Sequence, residues 1–153
     1  MAWYDYIKEF FYRPPNEDKN EDIEELIEML KSMTEDLYFT SESDYPFEII
    51  CWELKTKNIK KKYISEYINI DKSTELLELA PEKLLFQHAK SSPNFSEENR
   101  EKANRFKQII TFFQSQVSES RAFKIGSTEV EVYILGIASR THIIGLKTLA
   151  IET

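Results

Sequence analysis

The last third of the chain leaves little freedom of architecture. Ala122-Phe-Lys-Ile125 leads to a turn at Gly126-Ser127. Glu129-Val-Glu-Val-Tyr-Ile-Leu135 then alternates charged and apolar residues at its start, the period-two pattern of a strand with one solvated face. Residues 136–141 read as a loop, and residues 142–153 as a final strand running to the last residue. Three successive strands with short loops form an antiparallel meander. Its apolar face needs cover, because a small sheet without a packed face is not stable in water.

Helical patterns upstream can supply that cover. Ala103, Phe106, Ile109, Ile110, Phe113 and Val117 mark one face of a long helix that begins after Ser96, with Ser96 and Asn99 approximating a capping pair. Pro81 opens a shorter helix through about Ala89, and residues 90–95 form a loop. Ile23, Leu26, Ile27 and Leu30 form the stripe of a helix over 21–34. Asn20 is its N-cap, and Glu21, Asp22, Glu24 and Glu25 favour the positive end of its dipole. Phe47-Glu-Ile-Ile-Cys-Trp52 has the content of a strand, residues 62–70 suggest another, and residues 74–80 stay open between strand and helix. Residues 2–13 read as a short aromatic-faced helix stopped by Pro14-Pro15. An arm and linker, 1–20, thus precede one domain, 21–153. The class is α+β: an α/β/α sandwich with a largely antiparallel central sheet covered by helices on both faces.

Charge narrows the function. A net charge of −7 repels nucleic acid and anionic membrane and attracts basic surfaces. The one basic run, residues 55–62, reads as a solvated turn. No stretch approaches the ~20 apolar residues of a membrane span, and the N-terminus has no signal-peptide pattern. Cys51, the only cysteine, reads as a buried structural residue in an apolar run. A cytoplasmic protein, monomeric when free, is the expectation.

Catalytic equipment is thin. Gly126, Gly136 and Gly145 are too dispersed for a phosphate loop. His88 and His142 lie far apart, and no Cys–His spacing resembles a zinc site. No G-x-S-x-G elbow is present. The chain is therefore expected to be no enzyme, with no cofactor and no metal of its own.

Two features remain. Ser41-Glu42-Ser43-Asp44-Tyr45-Pro46 sets carboxylates and hydroxyls in one tight stretch before a core strand, where a plain turn would use the same residue types. The sequence closes on Ala150-Ile151-Glu152-Thr153 directly after a core strand, so its last residues should be held in place. Tyr45 is open between a surface contact and a core role.

These features carry a resemblance. Residues 37–53, Leu-Tyr-Phe-Thr-Ser-Glu-Ser-Asp-Tyr-Pro-Phe-Glu-Ile-Ile-Cys-Trp-Glu, resemble the L-x-F-x-S-E-S-[DE]-Y-P-F-E-x-x-x-W-E segment of the nuclease A inhibitor (NuiA-like) family. Residues 123–136 are similar to its G-x-x-E-[LV]-[DE]-V-Y-[VI]-x-G hairpin, with Ser127-Thr128 between Gly126 and Glu129. The ending from Gly145 resembles its G-x-x-T-x-x-x-E-T. The resemblance spans about 21–153 and leaves the arm aside. It implies an α/β/α sandwich that inhibits a ββα-metal nuclease, one that cuts DNA and RNA without sequence preference. It further implies that Thr153 and Glu42 approach the nuclease's magnesium ion. Ser41, Ser43, Asp44, Tyr45 and Glu152 flank that contact, and Phe95 stands in a shortened loop where the family carries a bulky aromatic. The alternative is a non-enzymatic interaction module on the same fold with a different partner.

Overall fold

The computed structural model describes residues 19–71 and 73–152. The helix expected over 2–13 and the linker up to residue 18 lie outside them. The described elements are helices α1 (Lys19–Thr34), α2 (Pro81–Ala89) and α3 (Glu97–Ser115), with strands β1 (Tyr38–Thr40), β2 (Asp44–Pro46), β3 (Glu48–Glu53), β4 (Leu76–Leu79), β5 (Ser118–Ile125), β6 (Glu129–Ala138) and β7 (His142–Ile151). The meander of β5, β6 and β7 is present. It is flanked by β3 beyond β7 and by β4 beyond β5, giving the order β3-β7-β6-β5-β4. Every neighbouring pair is antiparallel. A separate two-stranded hairpin joins β1 to β2.

Strand alternation divides the core in two. On one face Val130, Val132, Ile134, Ile144 and Leu146 pack under the three helices with Leu30, Leu85, Ile109, Phe112 and Phe113. On the other, Phe123, Leu135, Ile137 and Ile143 pack under residues 54–70, which contribute Ile59, Ile64 and Ile68. The mixed α+β architecture is the expected one, and the second layer is built from a 3-10 helix, Lys61–Glu66.

That 3-10 helix replaces the strand expected over 62–70. Tyr63 and Tyr67, and Ile64 and Ile68, are spaced by four, a helical interval that β-rich composition concealed. Tyr67 stacks on Trp52 at 5.8 Å between ring centroids. Its hydroxyl accepts from the amides of Lys55 (2.7 Å) and Thr56 (2.9 Å), which folds this segment back on itself instead of into the sheet. Residues 74–80 resolve as β4, paired to β5.

Four further expectations are corrected. Helix α1 already includes Lys19 and Asn20, so Asn20 is not its N-cap and the linker does not reach residue 20. Strand β6 runs through residues 136–138, which were expected to be loop. The turn is only Ser139-Arg140-Thr141, with Ser139 and Arg140 at positive φ (53° and 60°) and the Thr141 amide donating to Ala138 O at 3.2 Å. Gly136 sits in the ladder because the chain approaches Val117 closely there: a Cβ would lie 2.3 Å from Val117 Cγ2. The solvated face of β6 is confined to Glu129 and Glu131, since the strand is central and buried from Val132 onward. Cys51 is exposed, not buried. It lies on edge strand β3, where helical cover reaches Ile49 and stops. Partial burial still pushes its thiol pKa up, which keeps it protonated and poorly nucleophilic.

Local capping follows chemistry. Ser96 Oγ accepts from Asn99 N at 3.1 Å and opens α3, and Pro81 stands in the first turn of α2. The C-terminus of α1 is capped from a distance. The Arg105 guanidinium on α3 donates to Met33 O (3.2 Å), Ser32 O (3.4 Å) and Glu35 O. A cation here satisfies carbonyls that have no partner within the helix and complements the negative end of its dipole. Arg105→Met should therefore lower stability by about 2 kcal/mol through lost charge-assisted bonds. Urea unfolding checks this, and an unchanged midpoint would show the cap to be dispensable.

Candidate functional site

The hairpin of β1 and β2 stands on an aromatic base. Phe39 meets Phe47 edge-on at 6.2 Å, and His88 stacks on Phe39 at 4.5 Å and lies 4.9 Å from Phe106. Buried Phe39 fixes the hairpin to the core, while exposed Tyr38 and Thr40 flank it. The turn that results, Ser41-Glu42-Ser43, holds Glu42 and Ser43 at the surface.

Strand β3 accompanies β7 only as far as the pair Glu48 and Lys147. Beyond that point the hairpin takes its place. Thr148 is buried, and its hydroxyl donates to Pro46 O at 2.8 Å. Ser41 Oγ accepts from Ile151 N at 3.0 Å, and Glu42 N donates to Ile151 O at 3.4 Å. On the opposite side Ile151 lies across from Glu129 of β6, and Glu152 N donates to Thr128 O at 2.9 Å. The final described residues are thus held from both sides, and the Glu42 turn is one of the two supports.

Of the residues singled out in the sequence, Ser41, Glu42, Ile151 and Glu152 meet here. Thr153 lies outside the described residues. Ser41 is half-buried and its hydroxyl is engaged inside the molecule. Glu152 forms an ion pair with Lys124, which ties it to β5. Asp44 is exposed and Tyr45 half-buried. Phe95 is exposed on the loop leading into α3 and is not among the residues that hold the hairpin. Sequence reading missed Thr148, Thr128, Lys124 and His88 as supports. Thr148 had a signal, the threonine of the quoted ending; the others had none.

Beside the hairpin, Tyr45, Pro46, Glu48, Glu131, Lys147 and Leu149 line a cleft of about 260 Å³ on the sheet face that the 3-10 layer leaves open. Lys147 Nζ lies 3.5 Å from Glu131. Burial works to lower the pKa of this ammonium, but neighbouring Tyr133 and Glu131 outweigh it and hold it above the usual lysine value.

His88 supports the turn from below. Its Nε2 lies 3.1 Å from Thr40 N and 3.0 Å from Thr40 O, while Nδ1 is buried with no hydrogen-bond partner among the described residues. With Nε2–H donating to Thr40 O, protonation adds a hydrogen at Nδ1, where it would be buried without an acceptor. Burial accordingly lowers the His88 pKa from 6.5, against a raising contribution from the Thr40 hydrogen bond. A folded-state pKa below the unfolded one means that the stability contribution is complete above 6.5 and is lost as pH falls below it. The thermal midpoint should therefore decline as pH drops below 6.5, before carboxylates titrate, and His88→Phe should flatten that decline. An equally steep profile in the variant would exclude His88 as its source.

Among the described residues no group of three or more His, Cys, Asp or Glu is placed to hold a metal ion. No described helix is long and apolar enough to cross a membrane. Comparison with curated proteins finds no match. A family model described as nuclease A inhibitor-like protein matches residues 24–153, and the chain belongs to the nuclease A inhibitor-like family.

Proposed function

We propose that this protein inhibits a sugar-non-specific, metal-dependent nuclease of the ββα-metal type, blocking its active site with Glu42 and Thr153. The observation that carries the reading is the pair of hydrogen bonds at Ile151, whose amide donates to Ser41 Oγ and whose carbonyl accepts from Glu42 N. Position 153 is two residues further along, a reach of at most roughly 7 Å. This closeness of Glu42 to the end of β7 supports the reading that both groups meet one cation.

The chemistry is that of phosphate mimicry. A nuclease groove is basic, and a partner of net charge −7 is steered into it. Magnesium is a hard ion that takes oxygen ligands and keeps exchangeable waters. The Glu42 carboxylate and the oxygens of Thr153 supply negative charge where scissile phosphate oxygens normally lie. Holding Glu42 on a braced turn limits the entropy lost on binding. Ser43, Asp44 and Tyr45 form the rim of the contact, with Phe95 as a separate, outer one. The metal belongs to the nuclease, and this chain contributes no catalytic step.

The test is a nuclease-protection assay against a panel of ββα-metal nucleases at equimolar ratio. Stoichiometric loss of cleavage of both DNA and RNA is expected from at least one of them. Full cleavage across the panel at saturating protein would overturn the reading in favour of a different protein partner.

A further inference from the structure

We infer that Ser41 is a positioning residue of this site, whose hydroxyl locks the Glu42 turn to the end of β7 and so holds Glu42 in place for the partner. The inference rests on the proposed pairing of Glu42 with Thr153 and assigns Ser41 a role other than contact with the nuclease.

A serine hydroxyl has one hydrogen and two acceptor sites. At Ser41 the hydrogen goes to Ser43 O at 3.0 Å. One acceptor site takes Ile151 N–H at 3.0 Å, and the amide of Ser43 approaches the other at 3.5 Å. The Ser41 amide donates to Ser43 O at 3.1 Å as well, closing the turn on itself. The hydroxyl therefore has no capacity left for a partner. Ser43 differs in kind: it is exposed, and its backbone alone takes part in these bonds.

The position of Ile151 explains why a side chain is needed. Both its amide and its carbonyl turn away from β6, toward the edge where β3 has already ended. A strand would normally supply the partners for these two groups. Here Ser41 Oγ replaces the missing carbonyl and Glu42 N the missing amide. Thr148 makes the reverse connection further back, from β7 to the hairpin carbonyl of Pro46. Of the two hydroxyls, only that of Ser41 is adjacent to Glu42.

The experiment uses the full chain and four variants: Ser41→Ala, Ser41→Thr, Glu42→Gln and a deletion of Thr153. Backbone amide exchange at Ile151 is followed by NMR beside inhibition of the nuclease found in the panel. Ser41→Ala is expected to speed Ile151 exchange and weaken inhibition about tenfold each, the loss of one hydrogen bond. Ser41→Thr, which keeps the hydroxyl, should restore both. The inference is overturned if Ser41→Ala inhibits like the natural chain, if it loses inhibition while Ile151 stays protected, or if Ser41→Thr restores neither. Failure of the underlying reading looks different: Glu42→Gln and the Thr153 deletion would then inhibit normally, whatever Ile151 does.

Discussion

Glu42→Gln is expected to raise the inhibition constant by about 100-fold or more while leaving the fold intact. The substitution keeps the shape of the side chain and removes its charge. Close charge pairs at a protein interface carry coupling energies of roughly 2–5 kcal/mol when one partner is removed, and every 1.4 kcal/mol is tenfold. The side chain is exposed, and the bond from the Glu42 amide to Ile151 O belongs to the backbone, so stability should change by no more than about 1 kcal/mol, the range of an exposed polar contact. Removing Thr153, or extending the chain beyond it, should have an effect of similar size. The two changes should not add in full, because groups that meet one cation are coupled. Competitive inhibition assays on the single and double variants, with circular dichroism to verify folding, test this. Additive losses would mean that Glu42 and Thr153 act at separate places. Raising the salt concentration should slow association in all variants, since long-range steering by net charge is screened beyond roughly 10 Å at 0.1 M.

Much of this arrangement could be read from local pattern. The Ser96 cap, the proline start of α2 and the meander of β5, β6 and β7 depend on residues near one another in sequence, and the structure contains all three. Local pattern failed where long-range packing decides. Tyr63, Ile64, Tyr67 and Ile68 have strand-forming side chains, yet Trp52 and the amides of Lys55 and Thr56 hold Tyr67 in a helical turn. Gly136 looked like a loop marker and is instead the space that admits Val117. Cys51 sits in an apolar run, but its strand is an edge and the helices stop short of it.

The candidate site divides along the same line. The S-E-S-D-Y-P stretch and the E-T ending stood out in the sequence as separate features. Their meeting depends on a hydrogen bond between residues 110 apart, which no periodicity encodes. Ser41 and Glu152 illustrate the cost of reading residue type without geometry. Both looked like binding groups, and both are engaged within the molecule, with Ser43 O and Ile151 N in one case and Lys124 in the other.

Gly145→Ala should be among the most damaging single substitutions for stability, and it should do so without touching inhibition by the molecules that remain folded. Gly145 lies in the middle of β7, opposite Leu135 on one side and Ile50 on the other. A Cβ there would lie 2.0 Å from Ile134 O, 3.0 Å from Ile134 C and 2.9 Å from Leu135 Cδ2. Two of those three atoms are backbone in the central strand of the sheet, so relief requires β6 and β7 to separate. Overpacking of a tight core costs about 1–3 kcal/mol, and a clash with backbone belongs at or above the top of that range. For a chain of this length about 3 kcal/mol corresponds to a fall of roughly 6–12 °C in the thermal midpoint. The end of β7 at Ile151 is six residues away, about 20 Å along an extended strand, and is held by the hairpin and by Thr128. Well below its midpoint, Gly145→Ala should therefore inhibit with the natural constant, the converse of Glu42→Gln, which keeps stability and loses inhibition. Calorimetry and inhibition assays on the two variants together separate scaffold from site. A Gly145→Ala protein as stable as the natural chain would show that β6 and β7 are not so closely apposed, and a loss of inhibition by its folded form would show that strain at the strand centre reaches the Glu42 turn.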